Sequence, residues 1–318
     1  MLLQLAIADA YGAAFEFTTP EFIAKQNHLT YQTHPSRPDE NILPGHYTDD
    51  TQMSIGTIEA LLESDYPTSF DFVLHYIGAY ERDKRAGYSK RIQAALKAGA
   101  DGMWLNHHEN LEAMRSYAYN AFNESLGGTI SSANGCIMRT LPLGMLPSPA
   151  LVTRAAINQA VTTHPTSDGI HFTIVASLAA HALYHGKADR RNVRHWVANH
   201  MEIGIKPRSK NDKNIVLCEA GATIKAALYL IENYDALDSI LYEAVKLGGD
   251  TDSVAAVAVG LASLCRDIDP DGLPNHLVEG FERKPNKTGT RQVYGKYAAA
   301  FLNKLEARLF KKYPRRPV

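Results

Sequence analysis

The sequence predicts an all-α protein whose many short helices pack into one compact multi-helix bundle. Apolar residues recur at helical spacing through most of the 318 residues, and few stretches alternate polar and apolar side chains as strands do. Alanine-rich runs, as in residues 255–259, leave room for close contacts between helices. No segment has the composition of a linker, so we expect a single domain over residues 1–318.

The predicted helices follow from apolar spacing and from the positions of chain-breaking residues. They cover residues 2–15, 50–64, 69–83, 89–99, 108–122, 150–162, 167–186, 190–202, 214–233, 235–247, 252–266 and 292–311. The first begins with an apolar stretch that lacks a basic residue and soon meets Asp9, which indicates a core helix rather than a signal peptide. Two long segments between helices, 29–47 and 124–135, are expected to be functional loops.

Charge and cysteine content exclude several classes of function. The chain has 33 basic and 34 acidic residues and a formal net charge of −1, so neither nucleic acid nor a membrane surface is an expected partner. No stretch is apolar over the ~18–20 residues that a membrane span needs. Cys136, Cys218 and Cys265 are far apart and odd in number, which favours a reducing, cytoplasmic location. A monomer is the favoured oligomeric state.

Two acidic clusters, one in each half of the chain, carry most of the chemical information. They are Thr48-Asp49-Asp50-Thr51 and Asp250-Thr251-Asp252-Ser253, and each follows a glycine-containing turn and precedes a helical stretch. A regular helix would point Asp250 and Asp252 about 200° apart, so both can face one ion only from a turn or a helix N-terminus. Carboxylate and hydroxyl oxygens suit Mg²⁺, Mn²⁺ or Ca²⁺ better than zinc. The sequence therefore predicts a two-metal site.

Helix capping is the simpler alternative for each cluster. Thr, Asp and Ser are favoured N-cap residues, and acidic residues are common in the first turn of a helix. For one cluster alone, capping is the commoner explanation. Capping needs a single oxygen, however, whereas each cluster supplies two carboxylates and a hydroxyl, and the same excess occurs twice.

Five strings of residues carry a resemblance to a known family. In chain order they are Ala8-Asp9-Ala10-Tyr11-Gly12-Ala13-Ala14-Phe15-Glu16-Phe17, Thr48-Asp49-Asp50-Thr51-Gln52-Met53, Asn134-Gly135-Cys136-Ile137-Met138-Arg139, Thr163-His164-Pro165 and Gly248-Gly249-Asp250-Thr251-Asp252-Ser253-Val254-Ala255-Ala256. Over about residues 1 to 265 the chain resembles the ADP-ribosylglycohydrolases, the family of the dinitrogenase-reductase-activating glycohydrolase and the ADP-ribosylarginine hydrolases.

The resemblance implies a fold and an activity. The fold would be the compact orthogonal helical bundle of that family. The activity would be hydrolysis that removes ADP-ribose from a modified acceptor, with two divalent cations, Mg²⁺ or Mn²⁺, as cofactors. ADP-ribosylarginine on a protein is the expected substrate, and a small ADP-ribosyl compound is the other expected partner.

The resemblance also assigns site residues. The implied metal ligands are Thr48, Asp49, Asp50, Asp250, Asp252 and Ser253. The implied catalytic residues are Glu16, Asp49, Asp50 and Asp252, with Glu16 as an acid, a base or an orienting residue. The implied substrate-binding residues are Asn134, Gly135, Met138, His164 and Gly249, and the loop that ends at Asn134-Gly135 would hold the diphosphate. Asp9 lies within an apolar helix, so we expect it in a buried hydrogen-bond network that supports the metal ligands.

The chain departs from the family pattern in two places. Nitrogenase-regulating members carry an Asp-x-Gly-Asn string near the proximal ribose, where this chain has Arg85-Ala86-Gly87-Tyr88. The region 206–223 has no obvious aromatic residue for adenine stacking, so the candidates are Tyr88, Tyr184 and Tyr229. Five other histidines are expected to be structural or on the surface, namely His75, His107, His108, His171 and His195.

Two other functions stay open at this point. A non-catalytic member of the family that binds ADP-ribose or resembles a crystallin would have lost metal ligands, and none is lost here. Another metal-dependent hydrolase of a nucleotide-like substrate, such as a phosphohydrolase, would typically add histidine ligands, and no histidine lies next to either acidic cluster.

Overall fold

The computed structural model describes residues 1–36, 42–105, 110–128, 130–202, 205–209, 215–285 and 292–315. The α-helices are α1 Leu2–Gly12, α2 Pro20–Gln26, α3 Asp49–Glu63, α4 Ser69–Arg82, α5 Lys90–Leu105, α6 Leu111–Leu126, α7 Pro149–Ala160, α8 Ser167–Tyr184, α9 Val193–Met201, α10 Ala220–Asn233, α11 Leu237–Lys246, α12 Thr251–Ala262, α13 Asn275–Gly280 and α14 Ala299–Lys312. Two 3-10 turns, Asn134–Cys136 and Leu141–Met145, lie between α6 and α7. A small antiparallel hairpin joins β1 Arg283–Pro285 to β2 Gln292–Tyr294. The expected all-α fold class is confirmed.

Helix α12 forms the centre of the bundle. All of its residues from Thr251 to Ala262 are buried, as expected for a helix that is apolar on every side. Helices α1, α10 and α11 pack along it, and α3 and α8 also reach it. The last residue of α1, Gly12, lies against the start of α12, because a Cβ atom there would be 2.5 Å from Cα of Asp252. Backbone contact therefore joins α1 to α12 beside the second acidic cluster.

Hydrogen bonds from α1 and α12 place three helix ends together. The buried carboxylate of Asp9, in α1, accepts hydrogen bonds from the backbone N–H groups of Thr48, at 3.0 Å, and of Thr51, at 3.1 Å. It also accepts the two threonine hydroxyls, at 2.7 Å and 2.6 Å. At the C-terminal end of α1, the carbonyl of Gly12 accepts a hydrogen bond from the Thr251 hydroxyl of α12 at 2.8 Å. The N-termini of α3 and α12 thus meet the C-terminal end of α1.

Most predicted helices are confirmed within a few residues of their ends. The predicted helix over 2–15 ends at Gly12, that over 89–99 extends to Leu105, and that over 108–122 begins at Leu111, although residues 106–109 lie outside the described part of the chain. The short helices α2 and α13 were not predicted from the sequence. In α2 the start signals were nevertheless present, since the Thr19 side chain accepts a hydrogen bond from the Phe22 N–H and Pro20 is the first helical residue.

Two predicted helices were wrong at their N-terminal ends. The helix expected over 214–233 begins only at Ala220, because Val216 uses its backbone groups on the chain around Gly249 instead. The Val216 N–H donates to Gly248 O at 3.2 Å, and the Asp250 N–H donates to Val216 O at 2.8 Å. The helix expected over 292–311 begins only at Ala299, because Gln292–Tyr294 pairs with Arg283–Pro285 as β2. Both errors come from partners that are distant in sequence.

The helices that the structure describes include none that combines the length and the apolar character of a membrane-spanning segment.

Glycine substitutions test the backbone contact between α1 and α12. Gly12→Ala should lower the free energy of unfolding by about 1–3 kcal/mol, because the new methyl group meets backbone atoms that cannot move alone. The matched control is Gly78→Ala in α4, where no atom lies within 4 Å of the position that the new methyl group would take and the helix should gain about 0.5–1 kcal/mol. Urea unfolding of both variants measures the difference, and a Gly12→Ala protein as stable as wild type would contradict the packing.

Candidate functional site

A cavity of about 390 Å³ opens where α1, α3 and α12 meet. Its size lies within the roughly 300–1,000 Å³ typical of small-molecule sites. Ten residues predicted from the sequence line it: Glu16, Asp49, Asp50, Asn134, Gly135, Met138, His164, Asp250, Asp252 and Ser253. The structure therefore brings together both acidic clusters, the glutamate of the first motif, the 134–138 string and the histidine.

Five carboxylates form one side of this cavity, and we call Glu16, Asp49, Asp50, Asp250 and Asp252 the acidic floor. One carboxylate oxygen from each of Glu16, Asp250 and Asp252 lies within 4.8 Å of the others, a separation at which one cation can bind all three. Asp49 and Asp50 reach the same cavity from the first turn of α3. Ser253 of the second cluster lines the same cavity as Asp50 of the first, so the two clusters share this site.

Helix capping does not account for the acidic floor. Thr48 and Asp250 occupy the N-cap positions of α3 and α12, yet neither side chain makes the capping hydrogen bond. Asp9 supplies that acceptor to α3 from another helix, so Asp49 and Asp50 are not needed for it. Among the described residues, the buried Asp50 Oδ1 has no hydrogen-bond partner. An unpartnered buried carboxylate oxygen is costly alone and suits a cation ligand, so the residues present fit Mg²⁺ or Mn²⁺.

The acidic floor has the electrostatics of a cation site. Burial raises the pKa values of Asp49 and Asp50 well above the usual range, and the nearby charge of Asp9 raises them further. Burial and then the charge of Glu16 do the same to the pKa of Asp252. Like charges this close oppose their own ionisation, and bound cations would remove that opposition and release protons.

Asn134 contacts the acidic floor directly. Its amide nitrogen donates to Asp250 Oδ2 at 2.6 Å and to the Thr223 hydroxyl at 2.9 Å. Burial, and then the nearby charge of Asp250, raise the pKa of the Cys218 thiol, so it stays protonated. Asn134, which the sequence indicated as a substrate-binding residue, is therefore placed to orient Asp250 from the wall of the cavity.

His164 and Gly135 form the neighbouring wall. A Cβ atom at Gly135 would lie 2.9 Å from the His164 ring, so the glycine is required for space, since its φ is not in the left-handed region. His164 Nδ1 is 2.7 Å from the Thr163 hydroxyl. Burial, with the positive charges of Arg139 and Arg91, lowers the pKa of His164 to about 3. The imidazole is therefore neutral at physiological pH.

Comparison with known proteins identifies the family of this chain. The sequence profile of the ADP-ribosylglycohydrolase family matches residues 1–314. The chain belongs to the ADP-ribosylglycohydrolase family. It is 26% identical over 312 residues to the ADP-ribosyl-dinitrogen reductase glycohydrolase of Rhodospirillum rubrum, covering 95% of each chain. It is 23% identical over 313 residues to the ADP-ribosylhydrolase ARH3 of Homo sapiens, covering 83% of each.

A solved structure shares the fold of this chain. It is described as an ADP-ribosylglycohydrolase-related protein complex, and it matches with a TM-score of 0.57 at 21% identity over 98% of this chain and 95% of that one. At this identity the likeness supports the all-α fold. The family membership supports a hydrolase, as the strings in the sequence indicated.

Two predicted site residues do not line the cavity. The Thr48 hydroxyl donates to Asp9 at 2.7 Å, and Thr48 is absent from the residues that line the cavity. Gly249 has a φ of +82°, and a Cβ atom there would lie 2.0 Å from Val216 O. The structure gives Gly249 a backbone role, which is to let the turn before Asp250 pass against residue 216.

The aromatic candidates for adenine stacking also lie elsewhere. Tyr88 donates its hydroxyl to Gln52 at 2.9 Å, Tyr184 is buried against Phe310, and Tyr229 packs on the outside of the core. None of these three tyrosines lines the cavity. The described residues of the 29–47 loop do not line it either, and residues 37–41 lie outside the described part of the chain.

Arg85, at the first departure from the expected family pattern, has a structural role. Its guanidinium binds Asp83 and Glu282, each at 2.6 Å, and lies 3.8 Å from the ring centre of Tyr47. The next residue, Ala86, accepts the Asp49 N–H at 3.1 Å. Arg85 thus holds the chain that borders Asp49 but does not line the cavity.

The sequence missed several residues of the cavity wall. They are Met53, Gly87, Ser89, Arg91, Ile92, Ile130, Ser131, Ala133, Arg139 and Cys218. Arg139 carried a usable signal, since it is the one charged residue of the string that begins at Asn134. No sequence pattern indicated that Arg91 belongs to the site, because a basic residue near the start of a helix is ordinarily exposed to solvent.

The acidic floor should make the metal-free protein less stable as pH rises. The raised pKa values of Asp49, Asp50 and Asp252 mean that, above the usual value of 3.8, the folded state holds more protons than the unfolded state. The free energy of unfolding should therefore fall from about pH 5 to pH 8 in chelator, and saturating Mg²⁺ or Mn²⁺ should reverse the loss. Melting curves check this, with Asp101→Asn, an exposed carboxylate on α5, as the neutral control. Equal melting temperatures across this range without cation would contradict it.

Replacement of Gly135 should displace His164. Gly135→Val should cost about 1–3 kcal/mol of stability, because the new side chain overlaps the imidazole, and it should weaken ADP-ribose binding. Cation binding should persist, since no expected ligand lies in this turn. The same change in a His164→Ala background should cost less, because the overlapping ring is gone. Additive stability losses in that double-mutant cycle would show that the two residues do not interact.

Proposed function

We propose that this protein is a divalent-cation-dependent hydrolase that removes ADP-ribose from a modified acceptor, with ADP-ribosylarginine on protein as the leading substrate. The observation that carries the proposal is the acidic floor, with its unpartnered Asp50 oxygen, in a chain that matches the family from residue 1 to residue 314. The names of the relatives, an ADP-ribosyl-dinitrogen reductase glycohydrolase and an ADP-ribosylhydrolase, support the same substrate class.

The proposed metal site uses residues from both clusters. Asp49, Asp50, Asp250, Asp252 and Ser253 would hold two divalent cations, and Thr48, which the resemblance also implies as a ligand, precedes Asp49 in the chain. When bound, such cations supply positive charge that orients ribose hydroxyls and lowers the pKa of water. The protein's own share is to keep these oxygens fixed, as Asn134 does through its hydrogen bond to Asp250.

Glu16 is the residue best placed to move a proton. It is half-buried at the cavity side of the acidic floor, and its carboxylate lies within 4.8 Å of Asp250 and Asp252. Cleavage of a bond to the anomeric carbon of ribose passes through an oxocarbenium-like state and needs both an activated water and a proton for the leaving group. We assign one of these transfers to Glu16, with Asp49 and Asp252 orienting the reacting groups.

His164 is assigned to substrate binding rather than to acid catalysis. An imidazole with a pKa of about 3 carries no proton to donate as a cation at neutral pH. Its position against Gly135 places a neutral hydrogen-bonding group beside the turn expected to hold the diphosphate. Met138 and Gly135 complete this part of the proposed binding surface.

The two alternatives remain distinguishable. A phosphohydrolase would more typically show histidine among the metal ligands, and within the described residues the cation-binding group consists of carboxylates alone. A non-catalytic ADP-ribose-binding member would bind ADP-ribose without turning over any substrate. Both outcomes are read from the same assay.

Release of free ADP-ribose tests the function. Metal-loaded protein should release it from ADP-ribosylated arginine faster than from ADP-ribosylated serine or ADP-ribosyl phosphate. Glu16→Gln should lower turnover by about 10²- to 10⁴-fold, the usual cost of losing a general acid or base, and Asp252→Asn should lose both turnover and bound cation. If Asp252 only capped a helix, its replacement would lower the free energy of unfolding by about 0.5–2 kcal/mol and leave the activity intact.

Calorimetry that shows no divalent-cation binding would overturn the proposal. Asp101→Asn is again the control variant.

A further inference from the structure

Two arginines face the cavity on the side that carries His164. Arg91 lies in the first turn of α5 and is half-buried, and Arg139 follows the 3-10 turn Asn134–Cys136 and is 1% exposed. Both line the same cavity as the acidic floor. We call Arg91 and Arg139 the arginine wall. The cavity therefore has negative groups on one side and permanently positive groups on another.

Arg139 is a buried cation held by neutral groups. Its guanidinium donates to the Thr162 hydroxyl at 3.1 Å and to the Thr163 hydroxyl at 2.7 Å, and it lies 4.5 Å from the ring centre of Tyr76. Among the described residues, no carboxylate lies within ion-pair distance of it, and its buried Nε has no hydrogen-bond partner. Burying a charge without a counter-charge is costly, so an anion in the adjacent cavity would be favoured.

Arg91 adds positive charge to the same side of the cavity as Arg139. The charges of Arg91 and Arg139 both act on the imidazole of His164, which contacts Gly135. Arg91 also stands at the N-terminus of α5, a 16-residue helix, where the N–H of Ile92 points to the Ser89 hydroxyl at 3.4 Å. The helix dipole at such an end adds to the attraction for an anion.

We propose that Arg91 binds the diphosphate of a nucleoside-diphosphate ligand, and that Arg139 supplies fixed positive charge behind it. The inference rests on the proposed function, because it assigns the diphosphate of ADP-ribose to the arginine wall and the ribose to the acidic floor. The charges decide this orientation. At the arginine wall a diphosphate compensates the buried charge of Arg139, which no carboxylate among the described residues pairs with, whereas the acidic floor is expected to be compensated by its own cations.

The side chain of Arg91 suits this role in a way that lysine would not. A guanidinium presents a rigid fork of N–H donors that can bind two phosphate oxygens, whereas an ammonium binds as a point charge. The adjacent Lys90 carries the same charge, is exposed and does not line the cavity, so it provides a control for charge alone.

Calorimetric titration of the Mg²⁺-loaded protein tests the assignment, with ADP and ADP-ribose as the probes. Arg91→Ala should weaken the binding of both by roughly 10- to 100-fold, the usual cost of a hydrogen bond between charged groups, and should flatten the salt dependence of the affinity. Arg91→Lys should recover part of the loss, and Lys90→Ala should bind as wild type does. Melting temperature and the number of bound cations should stay unchanged in all three variants.

The outcomes separate this inference from the proposed function. If Arg91→Ala binds both probes as tightly as wild type, the inference is wrong and the hydrolase remains. If Arg91→Ala changes only the Michaelis constant of an acceptor-linked substrate, Arg91 contacts the acceptor and the inference is also wrong. If wild type binds ADP and ADP-ribose, Arg91→Ala loses both, and no substrate is hydrolysed, the inference stands while the function fails. A wild-type protein that binds neither probe overturns both.

Discussion

The buried carboxylate of Asp9 is the interaction on which the rest of the site depends. It accepts four hydrogen bonds, two from backbone N–H groups at the start of α3 and two from the hydroxyls of Thr48 and Thr51. A helix N-terminus normally receives such an acceptor from its own N-cap residue. Because a residue of α1 provides it here, the carboxylates of Asp49 and Asp50 are available to the cavity. The same bonds fix the first turn of α3 against α1, and through Gly12 against α12.

The cavity contains two unfavourable electrostatic features, the repulsion among the carboxylates of the acidic floor and the buried charge of Arg139. Ligands of opposite charge would be needed to compensate them. The acidic floor concentrates like charges in a chain whose net charge is only −1, and Arg139 is buried with no carboxylate in ion-pair contact among the described residues. Direct pairing between the two sides would remove both costs and leave nothing for a ligand to compensate. Their separation leaves each side able to bind the partner we propose for it, which is a pair of cations at the floor and an anion at the wall. A substrate that carries both ribose hydroxyls and a diphosphate matches both sides at once.

The features that depend on local sequence pattern could be predicted from the sequence. The features that depend on contacts between residues distant in the chain could not. The all-α class and most helices were confirmed because apolar periodicity is local, and the convergence of Asp50, Asp252 and His164 was indicated by their strings. The start of α10 was wrong because Val216 bonds to the chain at Gly249, which no local pattern reveals. Arg91 was missed for the same kind of reason, since only the fold shows that α5 begins at the cavity. The network around Asp9 was expected because an aspartate in an apolar helix needs hydrogen bonds, although its capping of α3 was not.

Helix ends offer this site a geometry that helix interiors do not. Residues two apart, such as Asp250 and Asp252, diverge on a regular helix but can converge where a helix begins. The helix dipole favours clustered carboxylates there, so the N-termini of α3 and α12 partly offset the repulsion within the acidic floor. The offset is incomplete, because burial still raises the pKa values of Asp50 and Asp252. The acidic floor therefore lowers the stability of the folded protein at the place where the proposed function needs unpaired carboxylates. We infer that the close packing of α1 on α12 allows the fold to retain these charges.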